Sequence, residues 1–166
     1  MADGLVYIYA GDGRGKSPAA IGRAVQAAVA GKNVVIIQFL KGKGLKDSDF
    51  LRRMEPEIKL FRFEKSDENF EQLPEDRKQE EIGNIRNGMN FARKVLVTGG
   101  CDLLILDEVL GLIEKGIITV EDLKNLLDCR EDTSVILTGI KINEEICSLA
   151  DEVSRIETVP GNEIYH

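Results

Sequence analysis

Nine residues, Tyr9-Ala10-Gly11-Asp12-Gly13-Arg14-Gly15-Lys16-Ser17, have the types and spacing needed to hold a polyphosphate. Glycines at 11, 13 and 15 let the backbone curl and turn its N–H groups inward. A helix that starts in the loop adds the partial positive charge of its N-terminus. The Lys16 ammonium reaches phosphate oxygens, and the Ser17 hydroxyl suits a magnesium ion. The usual pattern is G-x-x-x-x-G-K-[ST], and Ala10 stands at its first position. The plainer alternative is a glycine-rich turn that binds nothing. The apolar run Leu5–Ile8 before the loop and the alanine-rich helical pattern after it favour the phosphate reading.

A second set of residues serves the same chemistry. Leu103-Leu104-Ile105-Leu106 is an apolar run ending in Asp107-Glu108, the form of an acidic strand end beside a phosphate loop. Such a carboxylate holds the ion directly or through water. Gln38-Phe39-Leu40-Lys41-Gly42 closes another apolar run, and Lys41 suits a second phosphate contact. Thr138-Gly139-Ile140-Lys141 offers one more cation, with a plain surface lysine as an equal alternative. The cluster Lys43 and Lys46 reads as a solvated loop.

These residues need elements that bring them together. Leu5–Tyr9 reads as a first strand. A helix follows with Ile21, Ala24, Val25 and Ala28 on one face, and Gly31 ends it. Residues 33–40 read as a strand buried on both faces, because the run is continuously apolar. Asp47–Met54 reads as a short helix and Ile58–Phe63 as a third strand. Pro74 opens a long helix with a buried stripe of Ile82, Ile85, Met89, Ala92 and Leu96, closed by Gly99-Gly100. Asp102–Leu106, Ser134–Thr138 and Glu152–Ile156 complete the strands, with helices capped by Thr119 and Asn143 between them. Alternation of this kind implies an α/β fold: one P-loop-type domain over residues 1–166, with a mostly parallel sheet of six strands and helices on both faces. The ligand then lies at the carboxyl ends of the strands, where the loops after Tyr9, Leu40, Leu106 and Thr138 meet.

Composition narrows the classes. A chain of 166 residues with 43% hydrophobic content builds one core. Its net charge of −7 argues against general nucleic-acid binding, so a polyanion must be met by local cations such as Arg14 and Lys16. No run approaches the ~20 apolar residues of a membrane span, and no signal-peptide pattern opens the chain. Cys101, Cys129 and Cys147 lack metal-ligand spacing and read as reduced thiols of a cytoplasmic protein. The single histidine is His166, which leaves no histidine-based catalysis.

In order and spacing the four segments resemble the P-loop family of ATP:corrinoid adenosyltransferases. That family carries a G-N-G-K-G-K-T-T-A loop, strands ending Q-F-x-K-G and L-D-E, and a T-G-R element with a helix reaching L-A-D. Here these read Gly11 to Ala19, Gln38 to Gly42, Leu106-Asp107-Glu108, and Thr138 to Lys141 with Leu149-Ala150-Asp151. The resemblance implies that reduced corrinoid cobalt attacks the 5′ carbon of ATP and that triphosphate leaves. It implies Lys16, Lys41 and Glu108 as the catalytic set, and magnesium on Ser17 and Glu108 with Asp107 beside them. The nucleotide would lie on Gly11, Asp12, Gly13, Arg14, Gly15, Lys16 and Ser17, with Lys41 and Lys141 steadying the triphosphate. ATP and a corrinoid are the expected substrates, a flavoprotein the reductant, and a homodimer the assembly, with no nucleic-acid or membrane partner.

The chain departs from the pattern at four places. Pro18 replaces a threonine and removes one N–H from the loop. Asp12 replaces asparagine, and a carboxylate there must face ribose or a cation. The tryptophan-containing lid segment is replaced by Phe61-Arg62-Phe63, so Phe61 and Phe63 are the corrinoid-facing candidates, with strand core as the alternative. The family's N-terminal arm and basic tail have no counterpart, which reads as a shorter, divergent member. Two further readings stay open: a P-loop ATPase or kinase acting at the terminal phosphate, and an ATP-binding relative without a corrinoid site.

Overall fold

The computed structural model describes residues 4–40 and 52–164. Lys41 and most of the expected helix over Asp47–Met54 lie outside the described residues. Among the described residues six strands form one sheet: β1 (Val6–Ala10), β2 (Val34–Gln38), β3 (Ile58–Arg62), β4 (Leu103–Asp107), β5 (Ser134–Gly139) and β6 (Glu152–Arg155). Their order is β3-β2-β4-β5-β1-β6, and every pairing is parallel. All six carboxyl ends therefore open on one edge.

Side-chain alternation divides the core into two layers. Val35 and Ile37, Leu104 and Leu106, and Val135 and Leu137 face one layer. Val34 and Ile36, Leu103 and Ile105, and Ile136 face the other. Central strands buried on both faces read as unbroken apolar runs for this reason. Helix α1 (Lys16–Val29) covers the second layer through Ala20 and Ala24. It ends in a left-handed Gly31, whose N–H and that of Lys32 donate to Ala28 and Ala27 carbonyls.

The first layer is covered by α2 (Glu75–Thr98), α3 (Val109–Glu114), α4 (Val120–Leu127) and α5 (Glu144–Cys147). Pro74 stands at the N-cap of α2, with Glu75 and Asp76 in its first turn, and left-handed Gly99 closes it. The buried stripe of α2 is Glu81, Ile85, Gly88, Ala92, Val95 and Leu96, while Ile82 and Met89 are only partly buried. Buried Glu81 is stabilised because it accepts hydrogen bonds from Lys65 N (3.0 Å), Ser66 N (3.3 Å) and Asn84 Nδ2 (2.9 Å). Thr119 and Asp122 cap α4 reciprocally, and Asn143 caps α5.

Helix α3 has no counterpart in the sequence reading. It begins directly after Glu108, whose φ of 63° turns the chain out of β4. It packs so closely on the end of β5 that a Cβ on Gly139 would stand 2.4 Å from Leu110 Cβ. Gly139→Ala should therefore force α3 and β5 apart, lowering stability by about 1–3 kcal/mol. Urea unfolding of the variant against the parent measures this.

Candidate functional site

The carboxyl edge gathers four of the residues that the sequence singles out. The phosphate loop leaves β1 at Ala10, and Gly15 is the N-cap of α1, so Lys16 and Ser17 occupy its first turn. Pro18 sits in that same turn, where a missing N–H costs no intrahelical bond. Ser17 Oγ donates to Asp107 Oδ1 at 2.9 Å. The same oxygen accepts from Thr138 Oγ1 at 2.7 Å, and Thr138 Oγ1 accepts from Glu108 N at 2.8 Å. Lys16 Nζ lies 3.4 Å from Glu108 Oε1, with both side chains largely shielded from water. The loop, the end of β4 and the end of β5 are thus one bonded unit.

Asp107 is buried at the end of β4, in register with Gln38 on β2. Its Oδ1 and the Ser17 hydroxyl are hard oxygen donors of the kind magnesium takes. Among the described residues no cluster of three or more His, Cys, Asp or Glu could hold a metal. A magnesium site shared with phosphates needs only one or two protein ligands. Among the described residues the Gly15 and Lys16 N–H groups have no backbone hydrogen-bond partner. They stand at a helix start, where donors have no intrahelical partner.

Other expected residues lie outside that bonded unit. Lys141 is exposed, and its ammonium pairs with Glu114 at the end of α3 (3.3 Å). It also lines a cleft of ≈ 790 Å³ with Ala10, Gly11, Asp12, Ile142 and Arg155. Asp12 and Arg14 are exposed on the loop. Phe61 and Phe63 both contact Phe91 of α2, with ring centroids 4.6 and 5.4 Å apart, and are partly buried against the core. Lys41 lies outside the described residues.

Four residues contribute in ways that a reading of the sequence by segments does not assign. Thr138 is the link between Asp107 and Glu108. Ile156 and Thr158 touch the loop: the Gly13 N–H donates to the Ile156 carbonyl and the Arg14 N–H to Thr158 Oγ1. Glu64 Oε1 accepts from Leu40 N at 2.8 Å, fixing the exit of β2 at a residue with φ of 57°. Burial pushes the Glu64 carboxyl above its usual range, against the lowering effect of the Leu40 N–H. Burial also pushes the Cys101 thiol up to about 12, so it stays protonated. All three cysteines are free.

A family model described as ATP:corrinoid adenosyltransferase BtuR/CobO/CobP matches residues 2–161. The chain is 27% identical over 160 residues to the corrinoid adenosyltransferase of Escherichia coli K12, covering 94% of this chain and 78% of that protein. It is 27% identical over 157 residues to the corrinoid adenosyltransferase CobA of Salmonella typhimurium LT2, with the same coverage. Among solved structures, the KaiC-like protein PH0186 of Pyrococcus horikoshii OT3 shares the fold. Its TM-score is 0.56 at 18% identity, over 94% of this chain and 74% of that one. Among the described residues no helix is long and apolar enough to cross a membrane.

Two outcomes follow from this geometry. Thr138→Val removes both bonds of the hydroxyl and should cost about 1–3 kcal/mol, with Thr138→Ser restoring most of it in urea titrations. Glu64 binds its proton more tightly in the fold than in the unfolded chain. Stability should therefore fall as pH rises from the ordinary carboxyl value of 4.5 through the higher native one. Glu64→Gln keeps an acceptor for Leu40 N, and should flatten that slope in thermal melts across pH.

Proposed function

We propose a reaction for this chain on one premise: the chain belongs to the ATP:corrinoid adenosyltransferase family. It transfers the 5′-deoxyadenosyl group of ATP to the reduced cobalt of a corrinoid. The cobalt electron pair forms the bond to C5′, the C5′–O bond breaks, and its electrons leave with triphosphate. The nucleophile belongs to the substrate, so the protein has only to hold the nucleotide, neutralise the leaving group and keep water away. Protonated Cys101 and the absence of histidine from residues 1–165 agree with that division.

The loop residues Gly11, Asp12, Gly13, Arg14, Gly15, Lys16 and Ser17 take the triphosphate. Gly15 and Lys16 N–H groups donate to its oxygens, and the Lys16 ammonium neutralises charge as C5′–O breaks. Glu108 holds that ammonium in place. Ser17 and Asp107, with Glu108 near, would hold magnesium, which supplies a Lewis acid for the triphosphate charge. Lys41 and Lys141 steady the leaving group. The aromatic cluster of Phe61 and Phe63 with Phe91 at the exit of β3 supplies an apolar surface for the corrinoid. A flavoprotein reductant and a homodimer complete the proposal. The single observation that carries it is the bonded unit Ser17–Asp107–Thr138 beside Lys16–Glu108.

The test mixes protein, magnesium ATP and chemically reduced cobalamin or cobinamide without oxygen. Adenosylated corrinoid and triphosphate should appear in equal amounts. Lys16→Ala should lower the rate at least about 100-fold, the scale of losing one charge-stabilising group. ADP and phosphate with no cobalt–carbon bond would point instead to a terminal-phosphate enzyme. ATP binding with neither product would point to a non-catalytic relative.

A further inference from the structure

The chain beyond β6 lies across the phosphate loop. Ile156 N donates to the Ala10 carbonyl at 2.8 Å, which anchors the start of this strap. The Ile156 carbonyl accepts from Gly13 N at 3.2 Å, and Thr158 Oγ1 accepts from Arg14 N at 3.0 Å. The approach leaves no room for a side chain at Gly11 or Gly13. A Cβ on Gly11 would stand 2.2 Å from the Ile156 carbonyl oxygen. One on Gly13 would stand 2.7 Å from that oxygen and 3.0 Å from Thr158 Oγ1. One on Gly15 would stand 3.2 Å from Ile156 Cγ2. Gly11 and Gly13 are therefore the residues that admit the strap, and Gly15 packs under the Ile156 side chain.

An N–H offers one hydrogen. The Gly13 and Arg14 hydrogens point at strap oxygens, and a polyphosphate held in the curl of this loop calls on the same donors. The strap also carries Glu157, an anion that lines the cleft with Lys141 and Arg155. We propose that residues 156–158 are an internal occupant of the phosphate loop, which an incoming triphosphate displaces. Thr158 sets how firmly the strap holds. This rests on the nucleotide reading of the loop given above. The strap lets go at little cost, because the Thr158 side chain is exposed and both bonds that the strap takes from loop N–H groups are neutral. The phosphate bonds that replace it are charge-assisted and stronger.

Calorimetry of ATP and of inorganic triphosphate against the parent, Thr158→Val and Thr158→Ser tests this. Valine keeps the shape and removes the acceptor, and serine keeps the acceptor. Thr158→Val should bind both ligands about threefold more tightly, within the range of one neutral hydrogen bond. Thr158→Ser should match the parent. In the ligand-free protein, the Arg14 amide should exchange faster in Thr158→Val. Unchanged or weaker binding by Thr158→Val, while the parent binds ATP, overturns the strap alone. A gain with ATP and none with triphosphate also overturns it, because the effect then belongs to the nucleoside side. Binding of neither ligand by any of the three proteins overturns the nucleotide reading and the strap with it.

Discussion

One carboxylate oxygen organises the carboxyl edge of this sheet. Asp107 Oδ1 accepts from Ser17, 90 residues away in sequence, and from Thr138, 31 residues away. The first bond ties the start of α1 to β4, and the second ties β4 to β5. Hydrogen bonds to an ionised acceptor are about twice as strong as neutral ones, and this acceptor is buried. Removing either partner leaves a buried charge short of a donor, which is costly. The left-handed turn at Glu108 is held by the same network, since its N–H donates to the Thr138 hydroxyl. That turn delivers the Glu108 carboxylate to Lys16. Backbone held in a sparsely populated region persists where its surroundings over-determine it.

The arrangement explains how an acidic chain can present a site for a polyanion. Lys16, at the end of the loop, is held by a carboxylate rather than left free in solvent. Its position is thereby fixed before a ligand arrives, which lowers the cost of ordering it on binding. The parallel topology supplies the rest. Six strands ending on one edge place residues from widely separated segments side by side without a second domain.

Much of this was legible from the amino acids. The unbroken apolar runs of β2 and β4 reflect burial on both faces, and their order with the glycine loop specified a parallel sheet. Boundaries shifted by a residue or two: β1 and β4 each begin and end one residue later than the strands expected over Leu5–Tyr9 and Asp102–Leu106. Helix α3 was hidden because Val109-Leu110-Gly111-Leu112 continues the apolar run of β4 and carries no capping signal. The stripe of α2 included Glu81, which periodicity alone assigns to solvent and which three donors hold inside. Ile156 read as the end of β6, yet the strand stops at Arg155 and Ile156 turns onto the loop. Contacts such as Arg14 to Thr158, 144 residues apart, leave no local pattern to read.

A crystal structure of this chain with magnesium and ATP shows whether the loop holds the triphosphate. The triphosphate is expected against the Gly15 and Lys16 N–H groups, with Ser17 and Asp107 as the residues that would hold magnesium. Nucleotide density elsewhere on the molecule, with that hollow empty, would contradict that placement.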